Sequence, residues 1–85
     1  MKAQVWDRVV LTEDVPGGFR GAIIPKGTRG AVIEAYEQPQ EGYAVDVALP
    51  DESLVGGFRY DSIIVLPDQF DVDIDPADDG DRSPD

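Results

Sequence analysis

Few residues in this 85-residue chain are able to do covalent chemistry, and their types exclude several reactions at once. The chain has no cysteine and no histidine; its serines are at 53, 62 and 83 and its threonines at 12 and 28. Without an imidazole to act as base, a serine triad of the usual form is excluded. Thiolate and imidazole zinc sites and disulfide staples are excluded with it. Carboxylates are plentiful, but each lies in a polar context that predicts solvation rather than paired acid-base work. The chain therefore reads as a non-enzyme. One run has metal-ligand spacing: Asp71, Asp73 and Asp75 stand at the first, third and fifth positions of a calcium loop. The loop then fails, because Pro76 occupies the position that needs glycine and Arg82 the twelfth, which needs a bidentate Glu. With Asp78, Asp79 and Asp81 nearby, the expectation is weak divalent-cation binding and no cofactor; a calcium-responsive acidic module is kept as an alternative.

Charge is the next constraint. The net charge is −11, with −4 in residues 1–67 and −7 in residues 68–85. Such a field repels nucleic-acid phosphates and anionic membranes and attracts basic proteins. Its plain alternative is that it only keeps a small domain soluble. Arg20, Lys26, Arg29 and Arg59, with Trp6, Phe19, Phe58 and Tyr60, are the ingredients of a nucleic-acid face, but four cations in so acidic a chain make a poor footprint. Trp6 and the phenylalanines are instead expected to close the ends of a barrel. Gly-Gly-Phe-Arg occurs at residues 17–20 and again at 56–59. A Phe beside an Arg on a glycine turn is amphipathic chemistry that protein interfaces favour, which makes Phe19, Arg20, Phe58 and Arg59 candidate partner-binding residues. A Phe tucked into the core is the structural alternative. Phe70, Asp71, Asp73, Asp75, Asp78, Asp79 and Asp81 are candidates for an acidic partner-binding segment.

These residues must be positioned by a fold of one small domain. Residues 43–49 alternate cleanly, Tyr43, Val45, Val47 and Leu49 against Ala44, Asp46 and Ala48, and predict the most secure strand. Residues 5–11 and 31–36 predict two more, the second with an imperfect alternation that leaves its inner face open. Gly27 and Gly30 flank the turn before it, and a glycine there allows a positive φ or a close strand contact. Residues 54–60 predict a glycine-interrupted strand with a bulge or kink at Gly56 and Gly57. Asp61 and Ser62 then bend into a last strand over 63–66. Phe70, Val72 and Ile74 alternate with aspartates, so this stretch can add an edge strand or dock on a partner. From Pro76 onward the composition is that of a disordered segment. The expected architecture is all-β: a small five-stranded SH3-like barrel over residues 1–70 with a disordered acidic C-terminal tail over 71–85. An OB-like barrel is the rival, and its usual interposed helix has no candidate here. No segment approaches the roughly 20 apolar residues of a membrane span, and the first residues lack a signal peptide's apolar run, so a cytoplasmic location is expected.

The order of pieces resembles a family of very small bacterial proteins of unknown function with an SH3-like fold. The resemblance rests on Val-Val-Leu-Thr-Glu-Asp-Val-Pro, on Ile-Pro-Lys-Gly-Thr-Arg-Gly-Ala-Val-Ile-Glu-Ala-Tyr, on Tyr-Ala-Val-Asp-Val and on the closing Leu-Pro-Asp-Gln-Phe, and it spans residues 5–70. The loop after Gly17 and the acidic tail depart from the shorter pattern. The resemblance implies an antitoxin or immunity role, in which the protein neutralises a basic, nuclease-like toxin, and it supplies no catalytic residues. An accessory subunit of a larger enzyme is the further alternative.

Overall fold

The computed structural model describes residues 1–73. It contains β1 (Arg8–Leu11), β2 (Arg29–Tyr36), β3 (Gly42–Pro50), β4 (Phe58–Val65) and β5 (Phe70–Val72), with short 3-10 turns at Phe19–Gly21 and Pro67–Gln69. The strands form one antiparallel sheet in the order β4-β3-β2-β1-β5.

β3 lies between β2 and β4, and its alternation is the one read from the sequence. Tyr43, Val45, Val47 and Leu49 are buried on the inner face, joined there by Val9, Leu11, Val32, Ile63, Val65 and Phe70 of the other strands. Each such aliphatic side chain removed from water contributes about 1.5–3 kcal/mol. Among the described residues no polar or charged side chain is buried. Gly30 sits opposite Val47 where β2 crosses β3; a Cβ there would lie 2.3 Å from the Asp46 carbonyl oxygen, so the close strand contact admits only glycine. The imperfect alternation of β2 has a physical cause, since its register against β3 shifts between Val32 and Glu34, a bulge that turns Val32 inward and then lets Ala35 pack on the same core.

Two expectations are corrected. Residues 54–60 and 63–66 are not two strands separated by a bend. Residues 54–57 form the turn, closed by Gly56 and Gly57 at φ +92° and +81°, and a single strand runs from Phe58 through Asp61 and Ser62 to Val65 in unbroken register with β3. The fifth strand is Phe70–Val72, paired with β1.

The closed SH3-like barrel is also not formed. The sheet is open, with β4 and β5 as its two edges. Closure would need those edges to pair, and β5 presents only three residues. The inner face is covered by chain from outside the sheet instead. Val15 and Ile24 exchange backbone hydrogen bonds of 2.8 and 2.7 Å, and both side chains are buried with Ala3 in the core cluster. The aromatic residues expected to plug barrel ends are correspondingly displaced: Trp6 is 75% exposed and Phe19 67%, and Phe58 is also on the surface.

No helix among the described residues is long and apolar enough to cross a membrane.

Candidate binding surfaces

The outer face of the sheet carries the alternate residues of β3 and β4, those between the inner-face positions. Across that face Pro50 stands opposite Phe58, Ala48 opposite Tyr60, Asp46 opposite Ser62 and Ala44 opposite Ile64. The β3 residues here are small or compact, so nothing rises to shield their β4 partners. Tyr60 is 72% and Ile64 58% exposed, and Phe58 and Leu66 are exposed beside them. Each borders a shallow hollow: one of about 420 Å³ between Phe58 and residues 25–29, one of about 370 Å³ where Tyr60 meets Arg8, Arg29 and Asp46, and one of about 280 Å³ between Ile64, Leu66, Tyr36 and Pro39. The cations beside Phe58 and Tyr60 do not make a free anion site, because Arg29 Nε lies 3.5 Å from Asp73 and Asp46 lines the same hollow.

The backbone of β4 has an open side. The Asp51 N–H donates to the Gly57 carbonyl at 2.8 Å, which fixes the phase of the ladder. Antiparallel pairs alternate between bonded and non-bonded, so Arg59, Asp61, Ile63 and Val65 bond β3 while Phe58, Tyr60, Ser62 and Ile64 turn their N–H and C=O outward. Ser62 confirms the phase: its N–H is taken by its neighbour's Asp61 Oδ1 at 2.9 Å.

The two Gly-Gly-Phe-Arg segments are used differently. In the second, the glycines make the turn and Phe58 and Arg59 begin β4. In the first, Phe19 opens a 3-10 turn, Arg20 takes φ +58°, and the Arg20 guanidinium stacks 5.3 Å over the Phe19 ring. This loop is tied to β4, since the Phe19 N–H donates to Asp61 Oδ2 at 2.7 Å.

The candidate acidic residues divide. Asp71 lies 3.9 Å from Lys2 Nζ and Asp73 pairs with Arg29, while Asp75, Asp78, Asp79 and Asp81 lie outside the described residues. Phe70, expected as an anchor for a partner, is wholly buried, with its ring edge-on to Tyr43 at 5.2 Å. Arg59 is 3.9 Å from Asp51, whose carboxyl is held below its ordinary range by the Ser53 hydroxyl, then by the Ser53 N–H, then by Arg59. Among the described residues no three acidic side chains converge as metal ligands would.

Sequence reasoning passed over Lys2, Glu41 and Asp61. Lys2 Nζ donates to the carbonyls of Phe70 and Pro67 and sits 4.7 Å over the Phe70 ring. The Lys2 N–H reaches Glu41 Oε2 and the Tyr43 hydroxyl, both at 2.8 Å. The Tyr43 hydroxyl donates to Glu41, which is the main reason that the Glu41 carboxyl titrates below its ordinary value, the Lys2 N–H adding to it. Tyr43 is raised, first by burial and then by Glu41. No signal at one position reveals these roles, because each depends on a residue about 40 or more positions away in the chain.

No family model, no curated protein and no solved structure matches this chain.

Proposed function

We propose that the chain is a non-enzymatic, cytoplasmic protein-binding module for a basic protein partner, and that neutralising a basic, nuclease-like toxin is its particular role. The observation that carries this reading is how its cations are used. Lys2, Arg29 and Arg59 each lie against one of the chain's own carboxylates, and with 18 acidic residues against 7 basic ones the field left for a partner is set by the surplus of Asp and Glu. Five of the seven aromatic residues, Trp6, Phe19, Tyr36, Phe58 and Tyr60, are on the surface, and they supply apolar contact beside that field. Asp71 and Asp73 already face internal cations, which favours this reading over a calcium module that needs both as free ligands.

The test is affinity capture from the native host at low salt, followed by calorimetry with the purified captured protein. The full chain is compared with one ending at Asp73, which keeps β5 intact. A single basic protein that binds the full chain, loses affinity as salt rises and binds the shorter chain more weakly supports the reading. Affinity that is indifferent to salt and to the truncation refutes it.

A further inference from the structure

We propose that β4 is a two-fold pairing edge at which a second copy of this chain docks antiparallel, joining two five-stranded sheets into one continuous sheet.

The outward-turned residues of this edge form a palindrome. Phe58, Tyr60, Ser62, Ile64 and Leu66 read apolar, apolar, serine, apolar, apolar, with Ser62 at the centre. A two-fold axis at Ser62 sets Ser62 against its own mate, Tyr60 against Ile64 and Phe58 against Leu66. Self-complementarity of this kind is what an isologous interface requires, because each position must suit the position to which the axis maps it. Phe58, Tyr60, Ser62 and Ile64 point their N–H and C=O off the edge, and at Tyr60, Ser62 and Ile64 the same axis pairs open backbone groups with open backbone groups. At Leu66 the pairing ends, since its N–H is held by the Gln69 side chain at 2.9 Å and its carbonyl by the Gln69 N–H at 3.0 Å.

Other registers fit less well. An axis at Asp61 puts two aspartates directly opposite each other, which is destabilising. An axis at Tyr60 gains a cross-pairing of Arg59 with Asp61 but sets Ile64 against Gly56, a turn residue at φ +92°. The Ser62 register opposes Asp61 with Ile63 and Arg59 with Val65, and leaves no like charges face to face.

Two features oppose pairing and set its character. The Ser62 N–H must exchange Asp61 Oδ1 for the mate's carbonyl. The chain is also strongly acidic, although Asp68, Asp71 and Asp73 belong to the opposite, β5, side of the sheet. Charge repulsion of this kind is screened by salt, so the dimer strengthens as salt rises. That is opposite in sign to binding of a basic partner, and a single salt series therefore tells the two proposals apart.

The experiment is sedimentation equilibrium of the full chain in low and high salt, at concentrations up to about 1 mM. A dimer that tightens with salt is expected, and Ile64→Lys or Tyr60→Lys weakens it by about tenfold or more while leaving the circular dichroism spectrum unchanged. The register is read separately. The chain has no cysteine, so Ser62→Cys introduces the sole thiol, and the axis at Ser62 brings the two copies within disulfide reach. Oxidation is expected to link Ser62→Cys into a dimer and to leave Ser53→Cys, on the 51–57 turn, as monomer. A wild-type chain that stays monomeric throughout overturns the second copy as occupant and leaves the edge to a strand of another protein. A dimer indifferent to both lysine variants, or a Ser62→Cys chain that does not cross-link, overturns the proposed face.

Discussion

β5 turns only Phe70 and Val72 toward its open side, as the bonds from the Asp73 N–H to Arg8 and from the Thr12 N–H to Gln69 require. The Phe70 carbonyl there is already occupied by the ammonium group of Lys2. β4 is eight residues long and turns outward exposed aromatic and aliphatic residues, with one N–H covered by one carboxylate. A short strand capped by lysine is a common protection against edge-to-edge pairing. Among the described residues the β5 side has that protection and the β4 side lacks it. Among the described residues, then, one edge of this sheet is capped and the other is not.

The largest way to break this comparison is at the core residue that holds the capped edge. Phe70→Ala should cost about 3–5 kcal/mol in urea denaturation, because it removes a fully buried ring from against Tyr43. The matching truncation on the open edge, Ile64→Ala, removes an exposed side chain and should stay within about 0.5 kcal/mol. Equal costs would mean that β4 is as buried in solution as β5. Next in size is Lys2→Ala, which uncovers the Phe70 carbonyl and should cost about 1 kcal/mol. Hydrogen exchange at the Asp73 amide, which bonds the Arg8 carbonyl, should speed up while exchange in β3 stays slow.

The third prediction concerns pH and the strap that carries Lys2. The folded Glu41 carboxyl titrates below its unfolded value, so its contribution is complete above the unfolded value, near 4.5, and is lost as pH falls through the lower folded value. Glu41→Gln should flatten this part of the acid limb of a stability-against-pH curve; an unchanged limb would remove the Glu41–Tyr43 contact from the account. The smallest effect is expected for Asp61→Asn. It keeps an acceptor for the Phe19 N–H and removes the charge beside the proposed axis, so the dimer should tighten severalfold with no change in melting temperature.

What was legible in the sequence follows the range of the interactions involved. β3 was readable because a strand with one buried face writes a period of two into adjacent residues, and Tyr43, Val45, Val47 and Leu49 do so. At Gly27 and Gly30 the sequence left a positive φ and a close strand contact open, and the cross-strand approach to Asp46 assigns the contact to Gly30 and the positive φ to Gly27. β4 was split in two by its polar centre, Asp61-Ser62, which looks like a bend. The fold makes it strand because Asp61 lies beside a loop some 40 positions earlier in the chain and Ser62 shares the outer face with Asp46. Whether the sheet closes was not legible, since closure is decided by which edges meet. Nor was the burial of Phe70: an alternating Phe-Asp-Val-Asp reads equally as an exposed lure or as an edge strand until Tyr43 is placed against it. The candidate surface was partly legible, as Phe19, Arg20, Phe58 and Arg59 are exposed, but the palindrome along β4 appears only when residues 58–66 are known to be continuous.

Asp61 has one carboxylate and two claims on it. One oxygen holds the Phe19 loop and the other covers the Ser62 N–H. Events at the loop and events at the sheet edge are therefore not independent, because each alters what the shared group must do at the other. By thermodynamic reciprocity, a ligand whose binding draws Phe19 away from Asp61 changes the affinity of the edge for its occupant by some factor, and filling the edge changes the affinity of the loop for that ligand by the same factor.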